Sequence, residues 1–287
     1  MVREISLKIL LTGGTGFIGR NLKEAWQSKY DLYAPTRQEL NLLDAAAVEQ
    51  YLREGRFDVV VHTANTNDVV YQVNEYQVLD RNLRMFFNLK RCNGLYGKLY
   101  YFGSGAEYDM RHYIPHMPEH YFGTHIPADP YGFSKYIMSQ AAGENIYDLR
   151  LFGVFGKYEE WKRRFISNMI YLNLNGKLMQ MNQNMYFDYL FVDDLSRIME
   201  WFLTHEPLHH HYNLCSGTRV DLLSLAQTVI RQSGVLGQIA VRQEGWKPEY
   251  TGDNSRLLTE LGEISLTPMD TATQQLISHY REHGFPD

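Results

Sequence analysis

The chain has 287 residues and a formal net charge of −5, so it is long enough to bury a substantial core. Its charges are mixed and form no basic tract, so we expect no nucleic-acid partner. We also expect no signal peptide and no membrane association, because the N-terminal stretch is charged and no apolar run has the length of a membrane span. The two cysteines, Cys92 and Cys215, argue against a disulfide scaffold and predict a cytoplasmic protein.

The first half of the chain alternates strand and helix patterns. Apolar runs predict strands at 7–11, 31–34, 58–62, 98–102 and 147–152. Helical periodicity, with start signals such as Asp44 and Pro130, predicts helices at 18–28, 45–52, 80–92 and 130–144. This alternation predicts an α/β fold, in which residues 1–150 form a Rossmann-type, doubly wound parallel sheet that binds a dinucleotide.

The pattern changes in two later segments. Residues 109–129 carry four histidines and three prolines without a clear period, and we interpret them as a long loop over the C-terminal edge of the sheet. Beyond residue 150 the helix patterns lie at 163–174, 193–203, 221–233 and 271–283. The sequence therefore predicts a smaller, mostly helical substrate lobe in residues 151–287, with parts of the chain crossing between the two domains.

A glycine-rich turn follows the first strand pattern and precedes the first helix pattern. Gly13, Gly16 and Gly19 stand in TGGTGFIG with the spacing G-x-x-G-x-x-G. Glycines at such a turn let the backbone approach a pyrophosphate, which the amides and dipole of the helix N-terminus then hold. A tight turn without a ligand uses the same glycines, but the position on the first strand of an α/β pattern favours a dinucleotide.

Tyr131 and Lys135 form a second cluster, in the sequence YGFSK. Residues four apart lie on the same face of a helix, so the ammonium would stand beside the phenol and favour the phenolate. Such a pair can exchange a proton with a carbonyl or hydroxyl oxygen. The same residues fit an ordinary amphipathic helix, and the glycine-rich turn ahead of them favours the catalytic interpretation.

These motifs resemble those of the extended short-chain dehydrogenase/reductases, the NAD(P)-dependent nucleotide-sugar epimerase/dehydratase family, nearest its fucose-synthase-like reductase branch. TGGTGFIG is similar to the family's cofactor turn, and DVVVHTAN to the strand beneath the nicotinamide ribose. YFGSGAEYD resembles the strand that ends in the catalytic Ser/Thr, and PYGFSK the helix with the catalytic Tyr and Lys. The resemblance extends over essentially the whole chain.

The resemblance implies a catalytic trio and two sets of contacts. Ser104 would hydrogen-bond the reacting oxygen, Tyr131 would be the general acid/base, and Lys135 would support the tyrosine and hold the nicotinamide ribose. Cofactor contacts are implied for Gly13, Gly16, Phe17, Ile18, Gly19, Arg37, Asp44, Ala64, Asn82, Tyr131 and Lys135. Substrate contacts are predicted for Ser104, Gly105, Tyr131, Arg163 and Arg164, no metal is expected, and a homodimer is the assembly that the family suggests.

The residues after Ser104 separate the reactions of the family. Dehydratases carry an Asp-Glu pair at the next two positions and fucose synthases carry a cysteine at the second, whereas this chain has Gly105 and Ala106. Neither residue can move a proton, and strand alternation predicts that Glu107 points to the other face from Ala106, which makes it a weak substitute. These residues favour hydride transfer alone: reduction of a 4-ketone, oxidation of a 4-hydroxyl, or both in a C4 epimerase.

The residues after the second strand bear on the cofactor. Asp31 stands at the start of that strand, the wrong end for the acidic residue that binds the ribose 2′-OH of NAD. Arg37 follows the end of the strand, where a guanidinium would pair with a 2′-phosphate, although a solvated surface arginine fits the same position. We therefore expect NADP as the cofactor, with NAD as the alternative.

The main hypothesis is an NAD(P)H-dependent reductase acting at C4 of a keto nucleotide sugar, for polysaccharide biosynthesis. The alternatives are an NAD-dependent nucleotide-sugar C4 epimerase and a non-catalytic NAD(P)-binding scaffold. Gly153 and Phe187 stand where many relatives have an asparagine and an arginine that contact the sugar nucleotide. Arg163 and Arg164 can supply that missing charge, and a solvated helix start explains them equally well.

Overall fold

The structure is a computed structural model that describes residues 7–66, 72–262 and 265–286. Its strands are β1 Lys8–Thr12, β2 Asp31–Tyr33, β3 Phe57–His62, β4 Tyr96–Ser104, β5 Ile146–Leu151, β6 Gly153–Phe155, β7 Met179–Met181, β8 Tyr186–Phe191, β9 His211–Leu214, β10 Arg219–Asp221 and β11 Ile239–Val241. Its α-helices are α1 Phe17–Trp26, α2 Ala45–Gly55, α3 Glu75–Lys90, α4 Pro130–Gln140, α5 Phe165–Leu174, α6 Val192–Thr204, α7 Leu222–Ser233, α8 Ser255–Leu261 and α9 Met269–His283. Over these described residues, no helix is both long and apolar enough to cross a membrane.

A six-stranded sheet in the order β2-β1-β3-β4-β5-β9 organises the first half of the chain. β1 pairs in parallel with β2 and β3, and β4 pairs in parallel with β3 and β5. The chain leaves β1 toward one edge for β2 and returns to the other side for β3, so the strand order reverses between β1 and β3. Open α/β sheets bind ligands at this reversal, beside the carboxyl ends of the strands. The predicted α/β, doubly wound Rossmann-type fold is confirmed.

Burial on both faces explains the sequences of the central strands. Leu10 and Leu11 are adjacent in β1 and point to opposite faces, yet both are fully buried, as are Val60 and Val61 in β3. A strand that is covered on both sides reads as a continuous apolar run, which is typical of parallel sheets.

Helix starts follow the capping chemistry of the sequence. Asp44 accepts hydrogen bonds from the N–H groups of Ala46 and Ala47 and so caps α2. α3 begins at Glu75, earlier than the predicted residue 80, because Asn74 and Gln77 form a reciprocal capping box ahead of the apolar pattern. α4 begins at Pro130, as predicted.

Backbone positions divide the chain into two compact units. The first contains the described residues up to His112 together with Glu119–Leu151 and Phe202–Tyr212. The second contains Tyr113–Pro118, Phe152–Trp201 and the described residues from Asn213 onward. The histidine-rich segment 109–129 therefore contributes to both units, and it forms 3-10 turns at Met110–His112 and Glu119–Tyr121.

The second unit contains a three-stranded sheet in the order β10-β8-β6 and a two-stranded sheet of β11 and β7. β8 runs antiparallel to β10 and parallel to β6. Its core joins α5, α7 and α9 to these strands through buried side chains such as Ile170, Met179 and Ile277. The unit is thus a mixed helical and stranded structure.

Candidate active site

The glycine-rich turn connects β1 to α1 and packs against the end of β3. Gly13 has a φ of 73°, and a Cβ added there would stand 2.6 Å from the backbone nitrogen of Ala64. A Cβ at Gly19 would stand 2.2 Å from the carbonyl oxygen of Gly13. Both positions therefore require glycine, because the turn, the helix and the neighbouring strand approach one another closely.

The N-terminus of α1 fits a pyrophosphate. The helix begins at Phe17, Gly16 is its N-cap residue, and no side chain caps it. The first turn, with Phe17 and Ile18, contains no acidic residue that would repel an anion. Backbone N–H groups at such an end bind phosphate oxygens directly, so the cradle fits the diphosphate of a dinucleotide.

The resemblance places Asn82 among the cofactor contacts, but both polar atoms of its side chain hydrogen-bond to the backbone of Thr66. Its Oδ1 accepts the N–H of Thr66 at 2.7 Å, and its Nδ2 donates to the carbonyl of Thr66 at 3.1 Å. Asn82 therefore holds the segment that follows β3, close after Ala64.

Arg37 lies in the segment after β2, which begins beside the glycine turn. A Cβ on Gly14 would stand 3.1 Å from the Cβ of Ala34, so the chain leaving β2 touches the turn. Arg37 follows three residues later in a short turn, in which the Thr36 N–H donates to the Glu39 carboxylate at 2.7 Å, and its side chain is exposed. Asp44, also exposed, uses one carboxylate oxygen to cap α2.

Ser104, Tyr131 and Lys135 come together at the carboxyl end of β4. Ser104 is the last residue of β4, and Tyr131 is the second residue of α4. The Lys135 Nζ stands 5.9 Å from the centre of the Tyr131 ring. A Cβ on Gly132 would lie 2.8 Å from the carbonyl oxygen of Ala106, so the start of α4 packs directly on the turn that follows Ser104.

Lys135 is a buried cation. Its side chain is only 5% exposed, and its Nζ donates to the carbonyl oxygen of Phe102 at 2.8 Å. Burial lowers the pKa of Lys135 to about 8, and the negative charges of Glu107 and Asp148 oppose that effect. The ammonium is therefore still protonated at neutral pH, and it carries further N–H donors beside Tyr131.

His62 is a neighbour of this lysine that the sequence analysis did not single out. It ends β3, is buried, and its Nδ1 lies 2.8 Å from the Thr12 hydroxyl at the end of β1. Burial, with a further contribution from Lys135, lowers the pKa of His62 to about 3. The ring is therefore neutral. A lone histidine at the end of the apolar run DVVVH was its signal in the sequence.

The prediction for Glu107 is wrong. β4 ends at Ser104, and Gly105–Tyr108 form a 3-10 turn instead of a continuing strand, so strand alternation does not apply. The Ser104 Oγ accepts the Ala106 N–H at 3.1 Å, and the Glu107 carboxylate turns back to accept the Ser104 N–H at 2.8 Å. Gly105 and Glu107 are both buried in this turn.

Glu107 belongs to a buried cluster of charges that the sequence analysis also missed. The Arg150 Nε donates to the carboxylates of Glu107 at 2.8 Å and Asp148 at 2.9 Å, and all three side chains are at most 1% exposed. Asp148 and Arg150 alternate in the otherwise apolar strand IYDLRL. Two charges on one face of a buried strand were the available signal, since such residues need buried partners.

The predicted substrate residues Arg163 and Arg164 lie in the second unit. Both are exposed in the turn that leads into α5, and Arg164 is the N-cap residue of that helix. Arg163 borders an open depression of about 260 Å³ together with Lys162 and Lys247. Amide side chains complete the rim of this depression, among them Asn168, Gln180, Asn182 and Gln183.

In the same unit, the Phe187 ring fills the space that a side chain at Gly153 would need. A Cβ on Gly153 would stand 2.5 Å from the Phe187 ring and 2.6 Å from the carbonyl oxygen of Asp188. Phe187 also stacks on Tyr189, with ring centres 4.6 Å apart. The two positions are thus filled by one apolar contact and offer no polar group to a substrate.

The described parts of the chain contain no group of three or more His, Cys, Asp or Glu side chains placed to hold a metal ion. The histidines near the end of α6 have other contacts. His210 stacks on Tyr147 at 5.0 Å, and the His211 Nδ1 lies 3.5 Å from the Asp148 carboxylate. Cys92 and Cys215 are buried, and neither forms a disulfide.

Comparison with known proteins gives the family. The model of the NAD dependent epimerase/dehydratase family matches residues 9–215. A GDP-L-fucose synthase from Azorhizobium caulinodans is 52% identical over 58 residues, which are 20% of this chain and 19% of that protein. The match thus spans about a fifth of the length of that relative.

Solved structures share the fold over nearly the whole chain. A GDP-L-fucose synthetase from Naegleria fowleri bound to NADP superposes with a TM-score of 0.85 at 16% identity, over 98% of this chain and 95% of that one. A GDP-mannoheptose C4 reductase from Campylobacter jejuni with NADP bound gives a TM-score of 0.82 at 19% identity, over 97% and 99% of the two chains. Because the family model covers the glycine turn, most of the large sheet and the helix with Tyr131 and Lys135, the chain belongs to the NAD dependent epimerase/dehydratase family.

Proposed function

We propose that this protein is an NADPH-dependent reductase that acts at the C4 ketone of a nucleotide sugar, with Tyr131 as the general acid. The observation that carries this proposal is the trio at the end of β4: Lys135 is a buried cation beside Tyr131, and Ser104 ends the adjoining strand. Gly105 and Ala106 offer no second acid or base, and Glu107 is buried against Arg150. The site is therefore suited to one proton and one hydride.

Two features support NADP as the cofactor. The uncapped start of α1, with Phe17 and Ile18 in its first turn, suits the pyrophosphate, and exposed Arg37 at the end of β2 suits a 2′-phosphate. Ala64 would line the cradle and Asp44 would approach the adenine. The Naegleria and Campylobacter structures named above hold NADP, which agrees with this assignment.

Each member of the trio has a separate role in the proposed reduction. When bound, the reduced nicotinamide supplies the hydride for the sugar C4. The Ser104 Oγ already accepts the Ala106 N–H, so its own proton is available to the carbonyl oxygen of the substrate. Tyr131 donates the proton that turns this oxygen into a hydroxyl, and the Lys135 ammonium stabilises the phenolate that remains. The tyrosine then regains its proton from solvent.

A nucleotide sugar is the substrate class that the second unit supports. Since Gly153 and Phe187 fill each other's space, the charge for a diphosphate must come from other residues. Lys162, Arg163 and Lys247 border one depression, with amide groups suited to a base or sugar around it. Arg164 adds a further positive charge at the start of α5.

The test is turnover of NADPH with a panel of GDP-, dTDP- and UDP-linked 4-keto sugars, followed by product analysis. We expect Tyr131→Phe to lower kcat by at least about a thousandfold, because the general acid is lost, while NADPH still binds. Tyr136→Phe is the matched control: Tyr136 lies on the same helix, its hydroxyl accepts the Gln140 amide, and its loss should change kcat less than about twofold.

Other outcomes would contradict the proposal. Interconversion of C4 epimers with tightly bound NAD, and no net oxidation of NADPH, would identify a C4 epimerase. Dinucleotide binding without turnover of any keto sugar would identify a non-catalytic scaffold. Equal kcat values for wild type and Tyr131→Phe would remove the tyrosine from the mechanism.

A further inference from the structure

A buried charge cluster lies directly behind the catalytic serine. Glu107 is fully buried, Asp148 is fully buried, and Arg150 is 1% exposed. The mechanism above assigns none of them a role. Buried charges are costly unless each has partners, so their contacts indicate what the cluster holds in place.

Arg150 fixes the turn that follows Ser104 at two points. Its Nε donates to the Glu107 carboxylate at 2.8 Å, and one terminal nitrogen donates to the Tyr108 hydroxyl at 2.9 Å. Its other terminal nitrogen donates to the Ser139 hydroxyl at 2.8 Å, on α4. The guanidinium thus ties the turn to the last part of the helix that carries Tyr131.

Glu107 connects Arg150 to Ser104 through hydrogen bonds. One carboxylate oxygen is held by Arg150 and the other accepts the Ser104 N–H at 2.8 Å. Ser104 in turn accepts the Ala106 N–H through its Oγ, so backbone and side chain of the serine are both fixed by the same four-residue turn. A hydroxyl held in this way keeps its direction without any contact with substrate.

We propose that Glu107 is a positioning residue of the reduction, acting through Ser104, and that Arg150 fixes Glu107 in its place. This inference rests on the proposed function, because Ser104 is the group it aligns. Glu107 does not exchange protons with the substrate. It sets the angle at which the Ser104 hydroxyl meets the carbonyl oxygen.

Burial of a carboxylate does not by itself make a positioning residue. A second buried glutamate, Glu159, allows a comparison with Glu107. Glu159 is 1% exposed in the second unit and bonds the hydroxyl of Ser167, a residue with no part in the proposed mechanism. The burial of the two glutamates is the same, but only Glu107 is bonded to the catalytic serine. Glu159 therefore serves as the control.

The test is a double-mutant cycle on kcat with Ser104→Ala and Glu107→Leu. We expect Glu107→Leu to lower kcat about 100-fold in the wild-type background, since a misplaced catalytic group costs about that much. In the Ser104→Ala background it should lower kcat by less than about twofold, because no hydroxyl remains to be positioned. Glu159→Leu should have the same effect on kcat in both backgrounds.

Glu107→Gln tests the same point with a milder change and replaces Glu107→Leu in the cycle if that variant does not fold. The glutamine restores an acceptor for the Ser104 N–H, so we expect it to recover at least about tenfold of the lost kcat. Equal losses from the Glu107 variant in both serine backgrounds would overturn the proposal and leave Glu107 a purely structural residue.

Hydrogen exchange gives a readout that needs no turnover. In wild type the Ser104 amide should exchange slowly, and in the Glu107 variant it should exchange at least about tenfold faster, while the Leu99 amide in the same strand, bonded to the Asn145 carbonyl, stays protected. Unchanged protection at Ser104 would overturn the positioning. Absence of turnover in wild type with faster exchange in the variant would instead count against the proposed function alone.

Discussion

At the residue scale, the candidate site combines a buried lysine that is charged with a buried histidine that is neutral. Lys135 is 5% exposed, and burial lowers its pKa only to about 8, so it remains a cation at neutral pH. Burial also lowers the pKa of His62, to about 3, and Lys135 adds to this effect, so His62 is neutral. The two buried bases differ in charge because a lysine starts from a much higher pKa than a histidine, and because Glu107 and Asp148 oppose the effect of burial at Lys135.

The neutral state of His62 makes the protein sensitive to acid. Its pKa is about 3 in the folded protein and about 6.5 when unfolded, so the unfolded state binds the proton throughout that interval. The free energy of unfolding therefore decreases as the pH falls below about 6.5, and His62 costs about 2 kcal/mol at about pH 5. Urea unfolding at pH 7 and at about pH 5 measures this loss.

A matched pair of variants isolates the His62 contribution. His62→Asn keeps a polar group for the Thr12 hydroxyl but does not titrate in this range, so its loss of stability on acidification should be about 2 kcal/mol smaller than that of wild type. His283 is exposed at the end of α9, so the His283→Asn variant should lose as much stability on acidification as wild type. Identical losses in wild type and His62→Asn would show that His62 does not govern acid unfolding.

Arg37 decides between the two nicotinamide cofactors in the proposed site. Arg37→Ala should weaken NADPH binding by at least about tenfold and NADH binding by less than about twofold, because only NADPH carries the 2′-phosphate that a guanidinium pairs with. Titration calorimetry with both cofactors measures the two affinities. Arg53→Ala is the control: Arg53 lies near the C-terminal end of α2, and its loss should change neither the NADPH affinity nor the NADH affinity. Equal weakening of NADPH and NADH would refute the 2′-phosphate contact.

At the element scale, α2, α3 and α4 start where side chains satisfy the first backbone N–H groups, and the central strands of the large sheet follow the apolar runs. Asp44 and Pro130 marked the starts of α2 and α4 in the sequence, and both starts are confirmed. The start of α3 was missed because the apolar period begins about one turn after the Asn74 cap. The 3-10 turn after β4 was missed because a serine and a glutamate can close such a turn through a capping box, which strand alternation does not anticipate.

The cap of α2 yields a stability prediction at this scale. Asp44→Ala removes the acceptor for two N–H groups and should lower the free energy of unfolding by about 1 kcal/mol, whereas Asp44→Asn keeps an acceptor and should cost less than half of that. Chemical denaturation of the three proteins measures the difference. Equal stability of Asp44→Ala and wild type would mean that water replaces the cap without loss.

At the scale of the whole molecule, cofactor binding is coupled to stability. A ligand that binds only the folded state adds about 2.7 kcal/mol to the free energy of unfolding at a hundred times its Kd. NADPH should therefore raise the melting temperature of wild type and of Tyr131→Phe alike, and it should fail to do so in Gly19→Val, whose side chain cannot fit against the Gly13 carbonyl. A thermal shift assay with and without NADPH measures this. Stabilisation of Gly19→Val equal to that of wild type would place the cofactor elsewhere.

The sequence by itself determined the α/β class, the glycine turn and the spacing of Tyr131 and Lys135, because these depend on local periodicity and on which residue types fit a turn or one helix face. Only the tertiary structure decided that Glu107 turns back to Ser104, that Arg150 and Asp148 lie behind it, and that Gly153 and Phe187 fill one space. These contacts join residues from different strands and turns. The sequence around one residue does not specify which distant group will pair with its charge or fill the space beside it. The glycine turn thus follows from the sequence, whereas the contacts that hold Ser104 depend on how the strands come together.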